Sequence, residues 1–378
     1  MFSSQSRWRD VVETFRIDAM MRYSQFVPRL YNLCLSEGFE AGKIMPSRAF
    51  CSDENQGFPI ILITKHFGTF PFNHGQVGGI VATGRHGPHA AHGQDIVIIQ
   101  AGHVGYDPET GRFGQYRRLQ TRARKPSSAC GKIAQVIAAY EAEYRFAQRA
   151  ILLGRQGDDH TITIDNQLLR EDRKDGLFLN LERLVARSDG EPDYLHSQST
   201  ARVFRANPAL VESLPAATWA GTANCIGEHL GADLFHYRRD GEDARRNMGQ
   251  LEQNLLTPMP WIVTADAPLL AAAKVNTQAE FDRTFRSIAR SADYAAKNLL
   301  FVSCLNIDIS PQPGQVFPLT KCVPWAAFLQ HADGSARTIE QAELVSMLAS
   351  QSTENPHQID LEQAIGQMID ADEIRIEG

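Results

Sequence analysis

Cysteine is scarce in this chain: six residues in 378, at the irregular positions Cys34, Cys51, Cys130, Cys225, Cys304 and Cys322. That number and spacing exclude the disulfide framework of a small secreted protein and suit a reducing compartment. Long apolar runs are missing as well, since nothing approaches a membrane span and Met1 to Asp10 has no apolar signal-peptide core. The expected address is the cytoplasm, and a mature organelle protein would read the same way. A basic surface is also lacking. The formal net charge is -6 and the pI is near 6.1, which argues against nucleic acid as a partner. Neither a solenoid repeat nor a low-complexity linker divides the chain. With 43% hydrophobic residues it can bury one large core or two modest ones, as an ordinary globular sequence does.

Against this background three side chains stand out: Cys51 in Arg48-Ala49-Phe50-Cys51-Ser52-Asp53-Glu54, His103 in Ala101-Gly102-His103-Val104-Gly105, and Cys130 in Ser127-Ser128-Ala129-Cys130-Gly131. Two thiolates and one imidazole make a three-ligand set for zinc that leaves a fourth tetrahedral position for water. Residues 48–51 read as a short extended segment, and residues 95–100 form a continuous apolar run typical of a doubly buried strand. Cys51 and His103 are then expected just past strand ends, where open α/β sheets build their sites. Cys130 precedes an Ala-rich stretch with Ile133, Val136, Ile137, Tyr140, Tyr144, Ala147 and Ile151 at helical spacing. A thiol at that helix start ionises more easily. Taken singly, a Cys is more often a small core hydrophobe and a His beside a strand more often a core residue. The coincidence of all three in Gly- or Ser-flanked junctions favours the metal.

Further motifs accompany these residues in a fixed order: Gly78-Gly79, Thr83-Gly84-Arg85, His103-Val104-Gly105, Gly111-Arg112-Phe113-Gly114 and Ser128-Ala129-Cys130-Gly131. In that order the chain resembles the limiting-CO2-inducible protein B/C family, a group similar to β-class carbonic anhydrases. The strong match covers about residues 46–135, with a weaker echo in Asn306-Ile307-Asp308 to Phe317-Pro318-Leu319.

The resemblance implies a Zn2+ cofactor on Cys51, His103 and Cys130, carbon dioxide and bicarbonate as substrate pair, and a homodimer. Zinc lowers the pKa of bound water to about 7 in carbonic anhydrases with three His ligands, a magnitude taken over from them. Two thiolates donate more charge and make a weaker Lewis acid, so a group is needed to help the proton leave. Asp53, two residues after Cys51, is the candidate. The same carboxylate on the metal would instead close the site. By analogy with the Asp-Arg pair of the β-class, Arg85 is the residue expected to orient Asp53 by a bidentate contact. The β-class places its Arg two positions after the Asp, where this chain has Asn55, and Arg48 is the reserve choice.

Residues 68–93 are rich in Gly and His, and His74, His86, His89 and His92 read as a water-facing loop, with proton shuttling as the sharper role. Arg117, Arg118, Arg122, Arg124 and Lys125 form a basic run that reads as a solvated connection or an anion attractor. Phe50, Phe67, Phe70 and Val104 are neighbours suited to wall a small apolar pocket.

The expected fold is α/β: a β-carbonic-anhydrase-like mixed or parallel sheet flanked by helices, with helical additions at both termini. Its parts are a helical arm at 1–45, the α/β domain at 46–336 and a helical extension at 337–378. Trp8, Val11, Val12, Phe15, Ala19, Tyr23 and Phe26 trace the arm's helix, with Pro28 as its stop. Strands are expected at 58–64, 95–100, 161–164, 261–264 and 299–309, and helices at 131–153, 209–230, 278–297, 338–350 and 361–369. The functional expectation is reversible hydration of carbon dioxide by a zinc lyase. The alternatives are a catalytically silent relative acting as a binding or regulatory protein in inorganic carbon handling, and a thiol hydrolase with Cys51 or Cys130 as nucleophile and His103 as base.

Overall fold

The run Asp-Ile-Val-Ile-Ile-Gln opens a strand that continues far beyond it, from Asp95 to Asp107, with nearly every residue buried. The computed structural model describes residues 4–82, 95–117, 126–242, 246, 248–315 and 319–370. Contacts group the chain into two units, Met1–Glu13 with Ile133–Val275, and Thr14–Lys132 with Asn276–Gly378. These boundaries differ from 1–45, 46–336 and 337–378, because they follow spatial contacts and cut through two helices.

The second of these units holds an eight-stranded mixed sheet. In chain order its strands are β1 (Met21–Arg22), β2 (Ile44–Phe50), β3 (Phe72–Asn73), β4 (Asp95–Asp107), β5 (Arg112–Phe113), β6 (Leu299–Ile309), β7 (Leu319–Gln330) and β8 (Ala336–Ile339). The path runs β1-β7-β6-β4-β2-β3, with β8 on β7 and β5 on β4. At its centre β2, β4 and β6 are parallel, with Phe50 level with Ala101 and Asn306 level with His103. Strands in such a setting are largely apolar because helices cover both faces.

The helices that lie in this unit or run into it are α1 (Tyr23–Ser36), α2 (Gly57–Phe67), α3 (Gly131–Ala150, of which only the first two residues belong here), α4 (Pro268–Arg290, here from Asn276 on), α5 (Gln341–Ser350) and α6 (Leu361–Ile369). One sheet face packs Val97, Ile99, Ala101, Leu300 and Val302 against Phe26, Leu30 and Leu33 of α1, Ile63 of α2 and Leu344 and Leu348 of α5. On the opposite face Phe281 of α4 stacks on Phe301, centroid to centroid 5.7 Å.

The other unit has a five-stranded antiparallel sheet in the order 194–197, 201–205, 159–165, 151–156, 224–225. The rest of α3 contributes Tyr140 and Tyr144 to it. Tyr140 meets Tyr237 edge-on at 4.9 Å and donates to Glu252 at 2.7 Å, while Tyr144 donates to the Leu230 carbonyl.

Several expected elements change type or extent. Residues 58–64 lie in α2 rather than a strand. Pro59, Ile63 and Phe67 recur every four residues on its buried side, Ile61 faces out, and Gly68 at φ 74° closes the helix. Residues 261–264 lie mostly in the short helix Met259–Val263, where Pro260 occupies the first turn. Pro28 is inside α1, not its stop. The arm's helix ends at Thr14, and Met21 and Arg22 are used instead as a strand opposite Cys322 and Lys321. Residues 209–230 hold the helix Pro208–Ser213, two 3-10 turns and the short strand Asn224–Cys225, with Gly221 and Gly227 at positive φ between and within the turns. The remaining helices shift at their ends: α3 gives way at Ile151 to a strand, α4 starts ten residues before 278, and β8 takes residue 338. The strands at 95–100, 161–164 and 299–309 and the helix at 361–369 stand as expected.

Candidate metal centre

Cys51 is the first residue after β2, and Cys130 immediately precedes α3. His103 lies inside β4, not past its end as the sequence suggested, because β4 runs on to Asp107. The sheet still brings it to the same place. β4 is longer than β2, so His103 sits two registers beyond the Phe50–Ala101 pair, beside Cys51.

Glycine makes this convergence sterically possible. Gly105 allows the segment before Cys130 to lie against β4: its N–H donates to the Ala129 carbonyl at 2.7 Å, and a Cβ there would sit 2.6 Å from the Gln115 carbonyl oxygen. Gly79, at φ 73°, lies so close to β4 that a Cβ would be 2.3 Å from the Ala101 oxygen.

The ligand atoms of Cys51, His103 and Cys130 all lie within 4.8 Å of one another, and all three residues are buried. Both cysteines are free, with their sulfurs 3.9 Å apart. Two sulfurs bound to one tetrahedral zinc at ~2.3 Å would lie about 3.8 Å apart. Nε2 of His103 is buried without a hydrogen-bond partner, whereas Nδ1–H donates to Oδ2 of Asp308 at 2.8 Å. A carboxylate on Nδ1 fixes the tautomer whose Nε2 lone pair is free for a cation. The donor set therefore fits zinc.

Asp308 is held in turn by Gln56 Nε2 at 2.9 and 3.0 Å and by the Thr320 hydroxyl at 2.9 Å. Asn306 Nδ2 donates to Gln56 Oε1 at 2.7 Å, and the Tyr23 hydroxyl donates to Asn306 Oδ1 at 2.7 Å. This buried chain leaves each member hydrogen-bonded and the imidazole oriented.

The protons that the ligand set carries without a cation follow from the same contacts. The S–H of Cys130 donated to Cys51 holds the Cys51 thiol far below its ordinary range, against the opposing effect of burial; His103 and the Gly78 N–H, 3.1 Å from the sulfur, act in the same direction. That bond and burial together push Cys130 up. Burial opposes a charged His103, yet the bond to Asp308 and the closeness of both sulfurs raise it well above the ordinary imidazole value. A cation bound here displaces those protons.

Asp53 is half-buried beside this cluster and accepts from the Asn55 N–H at 3.2 Å. Burial raises its carboxyl to about 6, partly offset by the positive charge of His103. Arg85 lies outside the described residues, as do His86, His89, His92, Arg118, Arg122, Arg124 and Lys125. Burial lowers the guanidinium of Arg48, and among the described residues no ion pair joins it to Asp53. His74 does not face water: it is buried and its Nδ1 donates to the Ala82 carbonyl at 3.1 Å. Arg117 is engaged by Glu109 at 2.6 Å and Asp107 at 3.4 Å rather than poised for an external anion. Phe50 and Phe67 belong to the main core, Phe70 is 71% exposed, and Val104 is buried.

Sequence reasoning missed Asp308, Gln56 and the Gly78 N–H as partners of the ligands. Asp308 stood only in a motif echo, and its alternation with Asn306 on a largely apolar strand was the available signal. No helix among the described residues is long and apolar enough to cross a membrane.

No curated protein matches the chain. Among solved structures it resembles the crystal structure of PtLCIB4, a homologue of the limiting CO2-inducible protein LCIB. The two share 12% identity over 87% of this chain and 98% of that one, with a TM-score of 0.50. The crystal structure of LCIB itself matches at 13% identity over 86% and 96% of the two chains, with a TM-score of 0.44. At such identity the first likeness establishes the mixed α/β fold alone. Residues 20–175, which contain all three candidate ligands, match the family described as limiting CO2-inducible proteins B/C beta carbonic anhydrases, and the resemblance read from the sequence is borne out over that region.

Proposed function

We propose that this protein holds zinc through Cys51, His103 and Cys130 and hydrates carbon dioxide reversibly to bicarbonate. The observation that carries the reading is the buried, unpartnered Nε2 of His103 facing two free thiols while Asp308 fixes Nδ1. Zinc bound there supplies a Lewis acid that makes water nucleophilic near neutral pH. His103 keeps its proton on Nδ1, toward Asp308, and contributes only its Nε2 lone pair. Asp53 takes the proton that water gives up. In the chain without metal, burial raises this carboxyl from 3.8 to about 6, the direction that favours a proton acceptor. Arg85 orients Asp53 in this proposal, and the working unit is a cytoplasmic homodimer.

A second reading keeps the metal and drops the catalysis. Asp53 is close enough to His103 for their charges to interact, and the same carboxylate on the cation would close the site and leave a binding or regulatory protein. The thiol-hydrolase alternative differs in surviving metal removal.

Stopped-flow hydration of carbon dioxide, on protein of measured zinc content and with Cys51→Ala in parallel, separates these readings. Zinc near one per chain with hydration well above background, both lost in the variant, is expected. Stoichiometric zinc with no hydration leaves the closed-site reading, and activity unaffected by chelation favours the thiol.

A further inference from the structure

We infer that Asn276 and Glu280 on α4 are positioning residues for the metal centre: they hold the turn at Gly78–Val81 so that the Gly78 N–H meets the Cys51 sulfur. The inference rests on the metal-binding part of the reading above, not on carbon dioxide hydration.

Both side chains are fully buried. Asn276 Nδ2 donates to the Gly78 carbonyl at 2.9 Å, and the Val81 N–H donates to Glu280 Oε2 at 2.8 Å. Arg283 completes the grip. Its guanidinium donates to Glu280 at 2.6 and 3.2 Å and to the Val81 carbonyl at 2.5 Å. Between these points Gln100 Nε2 donates to the Gly79 carbonyl at 3.3 Å. Gly78 and Gly79 both adopt left-handed φ, 84° and 73°, so the turn that presents the N–H is one that other residues rarely make.

The arrangement exceeds what backbone satisfaction requires. A neutral side chain would satisfy the Val81 N–H, whereas a fully buried carboxylate is costly unless paired. Here the charge is paired by Arg283, and the pair clamps both polar groups of one residue. The turn is thereby fixed from the α4 side, while its other end donates a hydrogen bond to a ligand atom 3.1 Å away. An N–H on a thiolate withdraws electron density from the sulfur. Two thiolates make a metal a poor Lewis acid, and this bond restores part of that acidity. The same contact also holds the sulfur in place for a cation, and loss of such outer partners costs about 10–100-fold in metal affinity.

The test uses Co2+ as probe in the full chain, with its affinity measured by chelator competition and its thiolate charge-transfer band by absorbance. Asn276→Ala should weaken Co2+ binding by about 10-fold or more, because the turn shifts, and move the band to longer wavelength, because the Cys51 sulfur loses its N–H; Glu280→Gln, which keeps an acceptor for the Val81 N–H but loses the Arg283 pairing, should do both to a smaller extent. Phe281→Leu, on the same helix but packed on Phe301 and Phe285, should lower the melting temperature and leave the band in place. Variants that lose stability like Phe281→Leu while keeping wild-type affinity and band position overturn the inference and leave the metal site standing. Wild-type protein that takes up neither Co2+ nor zinc overturns the metal-centre reading and this inference with it.

Discussion

His103 and Asp308 show how much of a metal site is decided one atom beyond its ligands. The imidazole offers Nε2 to a cation because Nδ1–H is committed to Asp308. Asp308→Ala should therefore lower zinc affinity about 10–100-fold although no ligand is removed, as chelator competition would measure; unchanged affinity would mean that the tautomer is set elsewhere. Asp53 gives a prediction with a definite sign. Burial raises its folded-state carboxyl from 3.8 to about 6, so the folded, metal-free chain binds that proton more tightly than the unfolded chain does. Its contribution is present below about pH 4 and is lost as the pH rises toward 6. Metal-free Asp53→Asn should then gain stability over wild type at pH 7 and converge with it near pH 4, as urea titrations at the two values would report. A difference independent of pH would sink the assignment.

At the scale of elements, the strand that carries His103 and the segment that carries Cys130 meet at a glycine. Gly105→Ala would place a Cβ 2.6 Å from the Gln115 oxygen and 3.1 Å from the Tyr116 Cβ. The neighbouring segment must move, and with it Ala129 and Cys130. Zinc affinity should fall at least 10-fold, with a stability loss of about 1–3 kcal/mol from overpacking; a variant that binds zinc like wild type would show that the segment yields without shifting Cys130. The sheet centre was legible because 95–100 and 299–309 are apolar runs rich in β-branched residues. Residues 58–64 have the same look, yet they fold as α2, since a short apolar run has no period that tells strand from helix. Pro28 misled for a related reason: whether a proline stops a helix depends on where that helix begins, and pairing of Met21 and Arg22 with β7 moves the start to Tyr23.

For the whole molecule, a site assembled from residues 51, 103, 130 and 308 exists only when the chain is folded, so its metal stabilises the fold. Free zinc at 100 times its dissociation constant should add about 2.7 kcal/mol, visible in calorimetry as a melting temperature that falls on adding chelator. A melt indifferent to zinc and chelator would speak against the centre.

The sequence by itself determined the chemistry available: which thiols and imidazole lie in glycine- or serine-flanked segments, the mixed α/β class, and the resemblance over about residues 46–135, which lies within the family match at 20–175. Residue type and local pattern are properties of neighbours along the chain, and they can be read there. Only the tertiary structure decided that His103 sits within its strand, that Asp308, 205 positions away, holds its Nδ1, and that Asn276 and Glu280 reach back to the Gly78–Val81 turn. Those contacts depend on strand register and on the close approach of α4. Both are set by packing between distant segments, which no local pattern encodes.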